Sequence, residues 1–494
     1  MRPLPLCAIL PPPVQSPPPG PSFGHRADLG APAEHEQPAS YDDVTRWSAL
    51  QIAIALRRRA VTTEAVTNAF LARIRAENER LGAFVSHWPE RALNRARRID
   101  TALARGESLP GTFVGVPTAI KDLDPTRGAF NRMGARAARY LWSPIDGPVA
   151  ARVRRGGFNI VGKTATSEFG LLPIVETEIH PPCRNPWNTD YSAGGSSGGA
   201  GSAVAARLVP IAQGSDSAGS IRIPAAFCGL FGFKPSRGVL PSFYAPLDLN
   251  DLCTVHCLSQ TVEDSAAFLD TLLGRTYSPE DPTADSFLSL CRSAPERRHV
   301  KYCLTSPIAE VDPAAERAVL DAVSALRDLG HDVQEGPPLA GTLDELLPIW
   351  ARGAAKIPVV SERLTQPTTR WLRRMGRRIT DGGARQLVGE WSARVLDWSS
   401  RADVWVTPTV GPHAPRVGAS SEIDDVEARF RALSTLAAFT APLNVSGQPA
   451  ASVPFGRSAR GVPVGVQVAG RPGSDADLFA LCRTLETLVP WRRR

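Results

Sequence analysis

Two serine-rich stretches carry the most unusual chemistry in this sequence: Tyr191-Ser-Ala-Gly-Gly-Ser-Ser-Gly-Gly-Ala-Gly-Ser202 and Gly214-Ser-Asp-Ser-Ala-Gly-Ser-Ile-Arg-Ile-Pro-Ala225. Glycines at 194, 195, 198 and 199 permit backbone angles closed to other residues. Small residues also let main chains approach closely, as a site built from backbone donors requires. Ser220 follows Ala218-Gly219 and precedes Ile221-Arg-Ile-Pro224, which reads as a helix start because proline is tolerated in the first turn. A serine there has backbone N–H groups around it and the positive end of a helix dipole nearby. That combination suits a nucleophile inside an oxyanion hole.

A serine hydroxyl needs a base within hydrogen-bond reach. Lysine serves only when neutral, and burial lowers its pKa by disfavouring the charged form. Lys121 ends the apolar run Pro117-Thr-Ala-Ile120, a place where a lysine becomes buried, although a surface lysine at a strand end is the plainer reading. Lys163, in Val161-Gly-Lys-Thr, is the alternative base and suits a structural hydrogen bond. The residues alone leave both open.

Other chemistries fit less well. Gly/Ser-rich text is often linker, but here an apolar helix and strand flank both clusters. A Walker loop needs Gly-Lys-Ser/Thr, and no lysine falls between 163 and 234. Gly-x-Ser-x-Gly matches at Ser196 and Ser197, yet a nucleophile elbow needs a strand immediately before its serine, and 185–193 reads as loop. Cys253, His256 and Cys257 cluster without a second half-site, so no metal is expected. The basic run Arg370, Arg373, Arg374, Arg377 and Arg378 reads as a solvated helix face.

The elements that must hold the serines follow from pattern. The chain has 494 residues, 43% of them apolar, and a formal charge of +7, which suits a large buried core and excludes bulk disorder. Residues 1–40 hold eleven of the 45 prolines and no apolar periodicity, so a disordered tail is expected, followed by one domain over 41–494. Ser48-Ala-Leu-Gln51 has capping-box spacing. Helices are expected after Thr62 or Thr63, with Val66, Ala69, Phe70 and Ile74 on one face, and around Ala92, Leu93, Ala96 and Ile99. Beyond about residue 112, short apolar runs such as Val114–Ile120, Phe158–Val161, Leu208–Ala212, Val404–Val406 and Val464–Val468 alternate with helical text. That alternation predicts an α/β fold with a large mixed sheet flanked by helices. Eight scattered cysteines and no signal-peptide pattern predict a reducing, cytoplasmic setting. No apolar run is long enough to span a bilayer.

The block from Gly194 to Pro235 resembles the amidase signature family. The resemblance extends to Val116–Asp122, Gly162–Phe169, Arg184–Asn188, Val406–Thr409, Thr440–Pro449 and Pro463–Val468, covering about residues 41–490, with a feel closest to amidases of nylon cyclic dimers. It implies an amidase that forms an acyl-serine intermediate on linear carboxamides, with Ser220 as nucleophile, Ser196 as bridging serine after a cis peptide, and Lys121 as base. Ser217, Ala218 and Gly219 would line the oxyanion hole. No cofactor or metal is implied. The expected partner is a small-molecule amide, with no nucleic acid and no membrane, and a homodimer is left open. The alternatives are a glutamyl-tRNA amidotransferase A-type subunit and a non-enzymatic basic-surface binding protein. Two departures stand out: Ser217-Ala218-Gly219 precedes the nucleophile where the family usually has paired glycines, and Val255–Gln260 replaces a family strand.

Overall fold

Ser48 caps the first helix, Ala49–Arg57, through the reciprocal box with Gln51 that its spacing predicts. The same helix start is held from a distance: the Asp264 carboxylate accepts from the amides of Ala49 (3.1 Å) and Leu50 (2.8 Å). A carboxylate there satisfies orphan donors and complements the helix dipole. The second helix, Thr63–Leu81, buries Val66, Phe70 and Ile74, and the third, Pro89–Ala104, buries Ala92, Ala96 and Ile99, while Ala69 and Leu93 sit at the margins of these faces and are only half-buried. The computed structural model describes residues 43–244, 251–339 and 341–488. The expected tail, residues 1–40, lies outside the described residues.

Thirteen strands follow among the described residues. They are β1 (Phe84–His87), β2 (Pro117–Lys121), β3 (Ala129–Phe130), β4 (Trp142–Ser143), β5 (Asn159–Thr164), β6 (Ile211–Asp216) and β7 (Phe231–Lys234). The rest are β8 (Thr254–Ser259), β9 (His299–Tyr302), β10 (Asp332–Glu335), β11 (Val404–Pro408), β12 (Ala450–Arg457) and β13 (Pro463–Gly470). Eleven of them form one mixed sheet in the order β1-β5-β2-β6-β8-β7-β12-β13-β11-β9-β10, while β3 and β4 make a separate hairpin. Helices cover the sheet, giving the expected α/β architecture.

The register places the chemistry. β2 runs parallel to β5 and to β6, with Thr118 opposite Ile211 and Ala119 opposite Ala212. Neighbouring parallel strands end on the same side, so Lys121 and the segment after Asp216 emerge together, where ligands of open α/β sheets gather. Both strands are buried throughout. β8, the segment that departs from the family pattern, still pairs antiparallel with β6 from Ile211↔Ser259 to Asp216↔Thr254.

Over this edge lies a smaller apolar cluster of Leu171, Leu347, Ala351, Ala354, Leu372 and Phe430. It joins helices Leu343–Lys356, Pro367–Gly376 and Val426–Ser434 to the turn Glu168–Gly170. The basic helix is only partly the solvated face its sequence predicts. Arg374, Arg377 and Arg378 are exposed, but Arg373 is buried, pairing with Glu362 (3.0 Å) and donating to the Ala354 carbonyl (2.8 Å). Its charge serves the packing of two helix ends. Among the described residues no helix is long and apolar enough to cross a membrane.

Candidate active site

Lys121 is the last residue of β2 and is completely buried. Its Nζ lies 2.8 Å from Ser196 Oγ, 3.0 Å from Ser215 Oγ and 3.4 Å from the Ser215 carbonyl. Burial pulls its pKa down to about 8, against the opposing influence of Cys253, Asp124 and Asp216. A neutral amine has two N–H donors and one lone pair. The two Ser215 oxygens can take the donors, which leaves the lone pair to accept from the Ser196 hydroxyl. The backbone at Lys121 is held too, its N–H donating to Gln213 Oε1 (2.8 Å).

Ser196 follows a cis Gly195–Ser196 peptide, as the resemblance implies. Gly195 is required by space: a Cβ there would come within 2.7 Å of the Ile174 nitrogen. Ser197 joins the two serine clusters, its Oγ donating to the Ser215 carbonyl (3.1 Å) and its N–H to the Ser220 carbonyl (3.2 Å). Ser220 and Gly170 line one cleft, and a Cβ on Gly170 would stand 3.4 Å from Ser196 Oγ. The Ser220 hydroxyl makes no hydrogen bond to another described residue and faces that cleft. Catalytic hydrogen bonds commonly tighten only when substrate is bound.

The loop before Ser220 is built around a buried ion pair. Arg222 and Asp216, both inaccessible to solvent, are 2.9 Å apart. Burial alone would raise the Asp216 pKa, but the Arg222 guanidinium holds it well below the usual carboxylate range. Asp216 accepts from the amides of Gly219 (2.7 Å) and Ile221 (3.2 Å), wrapping the chain around its carboxylate. Arg222 also donates to Gln467 Oε1 (2.7 Å), Asn444 Oδ1 (2.6 Å) and the Thr440 carbonyl (3.1 Å). Thr440 Oγ1 in turn donates to the Ala218 carbonyl (2.6 Å). The two C-terminal motifs therefore brace this loop. Among Ser217, Ala218 and Gly219, the Gly219 amide is occupied by Asp216, whereas the amides of Ser217, Ala218 and Ser220 have no acceptor among the described residues.

The cleft is lined chiefly by Leu171, Leu172, Ile223, Leu346, Trp350 and Phe430. None of the described residues that line it is charged. Trp350 is held by its indole N–H, which donates to the Leu171 carbonyl (3.0 Å). Behind the cleft wall, Glu168 is buried and accepts from the Gln366 amide (2.8 Å) at the start of the basic helix. Burial raises its pKa to about 7.

Lys163, the other lysine left open by the sequence, is committed to other partners. Lys163 forms a fully buried ion pair with Asp122 (3.1 Å) and donates to the Asp124 carbonyl (2.7 Å) and to Asn131 Oδ1. His256 is buried among Phe233, Phe268 and Phe479, and burial drops its pKa to about 3, which fits packing. Ser215, Asn444, Gln467 and Trp350 carry no local signal that marks them for the site. Asn444 and Gln467 lie in motifs the sequence displays, but their partners are over two hundred residues away in the chain.

Comparison with known proteins places the chain in a family. The family model described as Amidase matches residues 65–479. The chain is 32% identical to the 6-aminohexanoate-cyclic-dimer hydrolase of Pseudomonas sp. (strain NK87), over 89% of this chain and 94% of the relative. A solved 6-aminohexanoate cyclic dimer hydrolase in complex with substrate superposes with a TM-score of 0.80 at 30% identity, covering 91% of this chain and 98% of that one. A bacterial aryl acylamidase shares the fold with a TM-score of 0.80 at 23% identity, over 90% and 96% of the two chains. The chain belongs to the amidase signature family, whose members hydrolyse carbon–nitrogen bonds of amides.

Proposed function

We propose that this protein hydrolyses an uncharged carboxamide bearing an apolar group, through an acyl-serine on Ser220. The observation that carries the reading is the buried Lys121 Nζ, 2.8 Å from Ser196 Oγ, beside the loop that presents Ser220. In the proposed reaction Ser196 passes its proton to neutral Lys121 and takes the Ser220 proton as the Ser220 oxygen attacks the carbonyl carbon. The carbonyl π pair moves onto oxygen, where the free amides of the 217–220 loop stabilise it. Collapse of the tetrahedral adduct breaks the C–N bond, and the Lys121 proton returns through Ser196 to the leaving nitrogen. Water repeats the sequence on the ester, releasing carboxylate and regenerating Ser220.

The substrate class rests on the cleft. A charged group placed against Leu171, Leu172, Trp350 and Phe430 would lose its hydration without a partner, at a cost of several kcal/mol, roughly enough to exclude it. Linear amides with an alkyl or aryl group fit this description, and so does a neutral cyclic amide. The purified protein should release amine or ammonia from such amides without ATP, tRNA or other proteins. A fluorophosphonate should label Ser220, and Ser220→Ala should be inactive yet folded. Ser196→Ala and Lys121→Ala should each lower turnover by roughly 100-fold or more. Activity seen only with partner proteins and glutamine would instead favour the amidotransferase reading, and full turnover by Ser220→Ala would end the acyl-serine one.

A further inference from the structure

Eleven large hydrophobic side chains are exposed among the described residues, and five of them fall between 130 and 145: Phe130, Tyr140, Leu141, Trp142 and Ile145. The other six are scattered along the chain, as single surface hydrophobics ordinarily are. Clustering of this kind marks an interaction surface. The five belong to the β3–β4 hairpin and its immediate continuation, where Phe130 and Trp142 are directly opposed cross-strand partners. Tyr140 is 79% exposed, Ile145 68% and Trp142 54%, so these side chains protrude from the surface and do not merely flank a crevice.

The hairpin is anchored from beneath. Met133 N–H donates to the Asp122 carbonyl (3.1 Å), Arg132 N–H to the Asp122 carboxylate (3.1 Å), and Lys163 Nζ to Asn131 Oδ1. The apolar exposure is thus a property of a held structure.

Four arginines without an ion-pair partner among the described residues flank the protruding side chains. Arg132 lies over the Phe130 ring (5.8 Å) and Arg139 over the Tyr140 ring (5.6 Å). Arg91 donates to the Arg127 carbonyl at the hairpin base (2.7 Å). Burial, then the neighbouring charges of Arg154 and Arg127, depress the Arg91 pKa against the opposing pull of Asp146. Asp146 is taken by Arg154 (2.8 Å) and Glu178 by Arg136 (3.4 Å). Arg91, Arg127, Arg132 and Arg139 form no ion pair with a described carboxylate. The surface is therefore aromatic and aliphatic at its tip, with a basic collar.

We propose that the Phe130–Ile145 hairpin docks this protein on an anionic phospholipid surface, with Tyr140, Trp142 and Ile145 entering the headgroup region and the arginine collar facing lipid phosphates. Tryptophan and tyrosine favour the membrane–water boundary, and basic side chains near it are drawn to anionic lipid. A second copy of the chain is a poorer occupant, because a two-fold contact would bring the arginine collars face to face. A deformable bilayer accepts several protruding side chains, whereas a protein partner needs a matching pocket for each. This departs from the expected absence of a membrane partner, although no apolar run of the sequence is long enough to span a bilayer. Docking on the surface needs no such run.

Co-sedimentation of the full chain with vesicles tests this. Binding should be clear on phosphatidylcholine vesicles containing roughly a third phosphatidylglycerol, and at least about tenfold weaker on phosphatidylcholine alone or at about 500 mM salt. The double variant Trp142→Ser/Ile145→Ser and the pair Arg127→Gln/Arg139→Gln should each weaken it by about tenfold or more, with melting temperature and hydrolysis of a soluble amide unchanged. Absence of binding to anionic vesicles overturns the proposal, as does binding that survives both variant pairs. Sedimentation velocity separates the remaining occupant: a wild-type dimer that Trp142→Ser/Ile145→Ser converts to monomer, without vesicle binding, makes the patch a contact between copies. Selective binding of an acidic polypeptide with none to vesicles would likewise replace the lipid.

Discussion

If Lys121 is the base, activity must follow its neutral fraction as pH changes. With its pKa pulled down by burial to about 8, about 10% of the lysine is neutral at pH 7 and about 90% at pH 9. The expected kcat/KM therefore rises about tenfold over that interval and then levels off. An exposed lysine with a pKa near 10.4 would give a different curve, with a neutral fraction of roughly 0.04% at pH 7 and a rise of about a hundredfold by pH 9, without a plateau. Glu168, held up to about 7 by burial, titrates nearby and could mix into the rising limb through the turn that carries Gly170. The measurement is kcat/KM on a neutral amide from about pH 5.5 to 10, for the wild type and for Glu168→Gln, which cannot ionise. The inflection near pH 8 should persist in Glu168→Gln. A flat profile, or a rise of one decade per pH unit continuing to pH 10, would remove Lys121 from the role of a buried neutral base.

Glu168 also makes a stability prediction. Its folded pKa is raised, so the stability it contributes is present below about 4.5 and is lost as pH rises through about 7. Glu168→Gln should therefore be more stable than wild type at pH 8 by up to about 3 kcal/mol, and within about 1 kcal/mol of it near pH 5, by denaturant unfolding. Arg222→Ala leaves the Asp216 carboxylate buried without its cation and should cost about 3–5 kcal/mol, with turnover lost because the loop is released. A chain beginning at Ser40 should match the full chain in melting temperature and turnover, since the proline-rich residues 1–40 offer no apolar periodicity with which to dock; a loss of several degrees would show that they do.

What the sequence revealed divides along the range of the interactions. The box at Ser48–Gln51 and the apolar faces of Val66, Phe70 and Ile74 are local patterns, and the structure has them where the pattern puts them. Lys121 and Ser196 could be paired only through the family resemblance, since their contact joins residues 75 apart. Between Lys121 and Lys163 the residues themselves gave no decision. Each lies buried in a strand, and the distinction lies in what faces it: two serines for Lys121, a carboxylate for Lys163. Ser215 was invisible as a contributor because one more serine in a serine-rich run carries no signal. The apolar cleft wall was invisible because Trp350 and Phe430 meet Leu171 only after separate helices fold over the sheet edge.

The unusual Ser217-Ala218-Gly219 sequence before the nucleophile now has a physical reading. In this loop the left-handed backbone falls on Gly219, with φ of 123°, and Ala218 is not among the residues of positive φ. A side chain at 219 would also run into Thr440. Glycine is thus demanded at 219 by both backbone and space, while 218 admits a methyl group. Ala218 lines the apolar cleft beside Ser220, and its carbonyl is fixed by Thr440 Oγ1 at 2.6 Å. The departure from paired glycines therefore leaves the fold of the loop intact and narrows the cleft beside Ser220. Its consequence belongs to the shape of the substrate. The loop that presents Ser220 rests on Asp216, Arg222 and the distant Thr440, Asn444 and Gln467 that hold them.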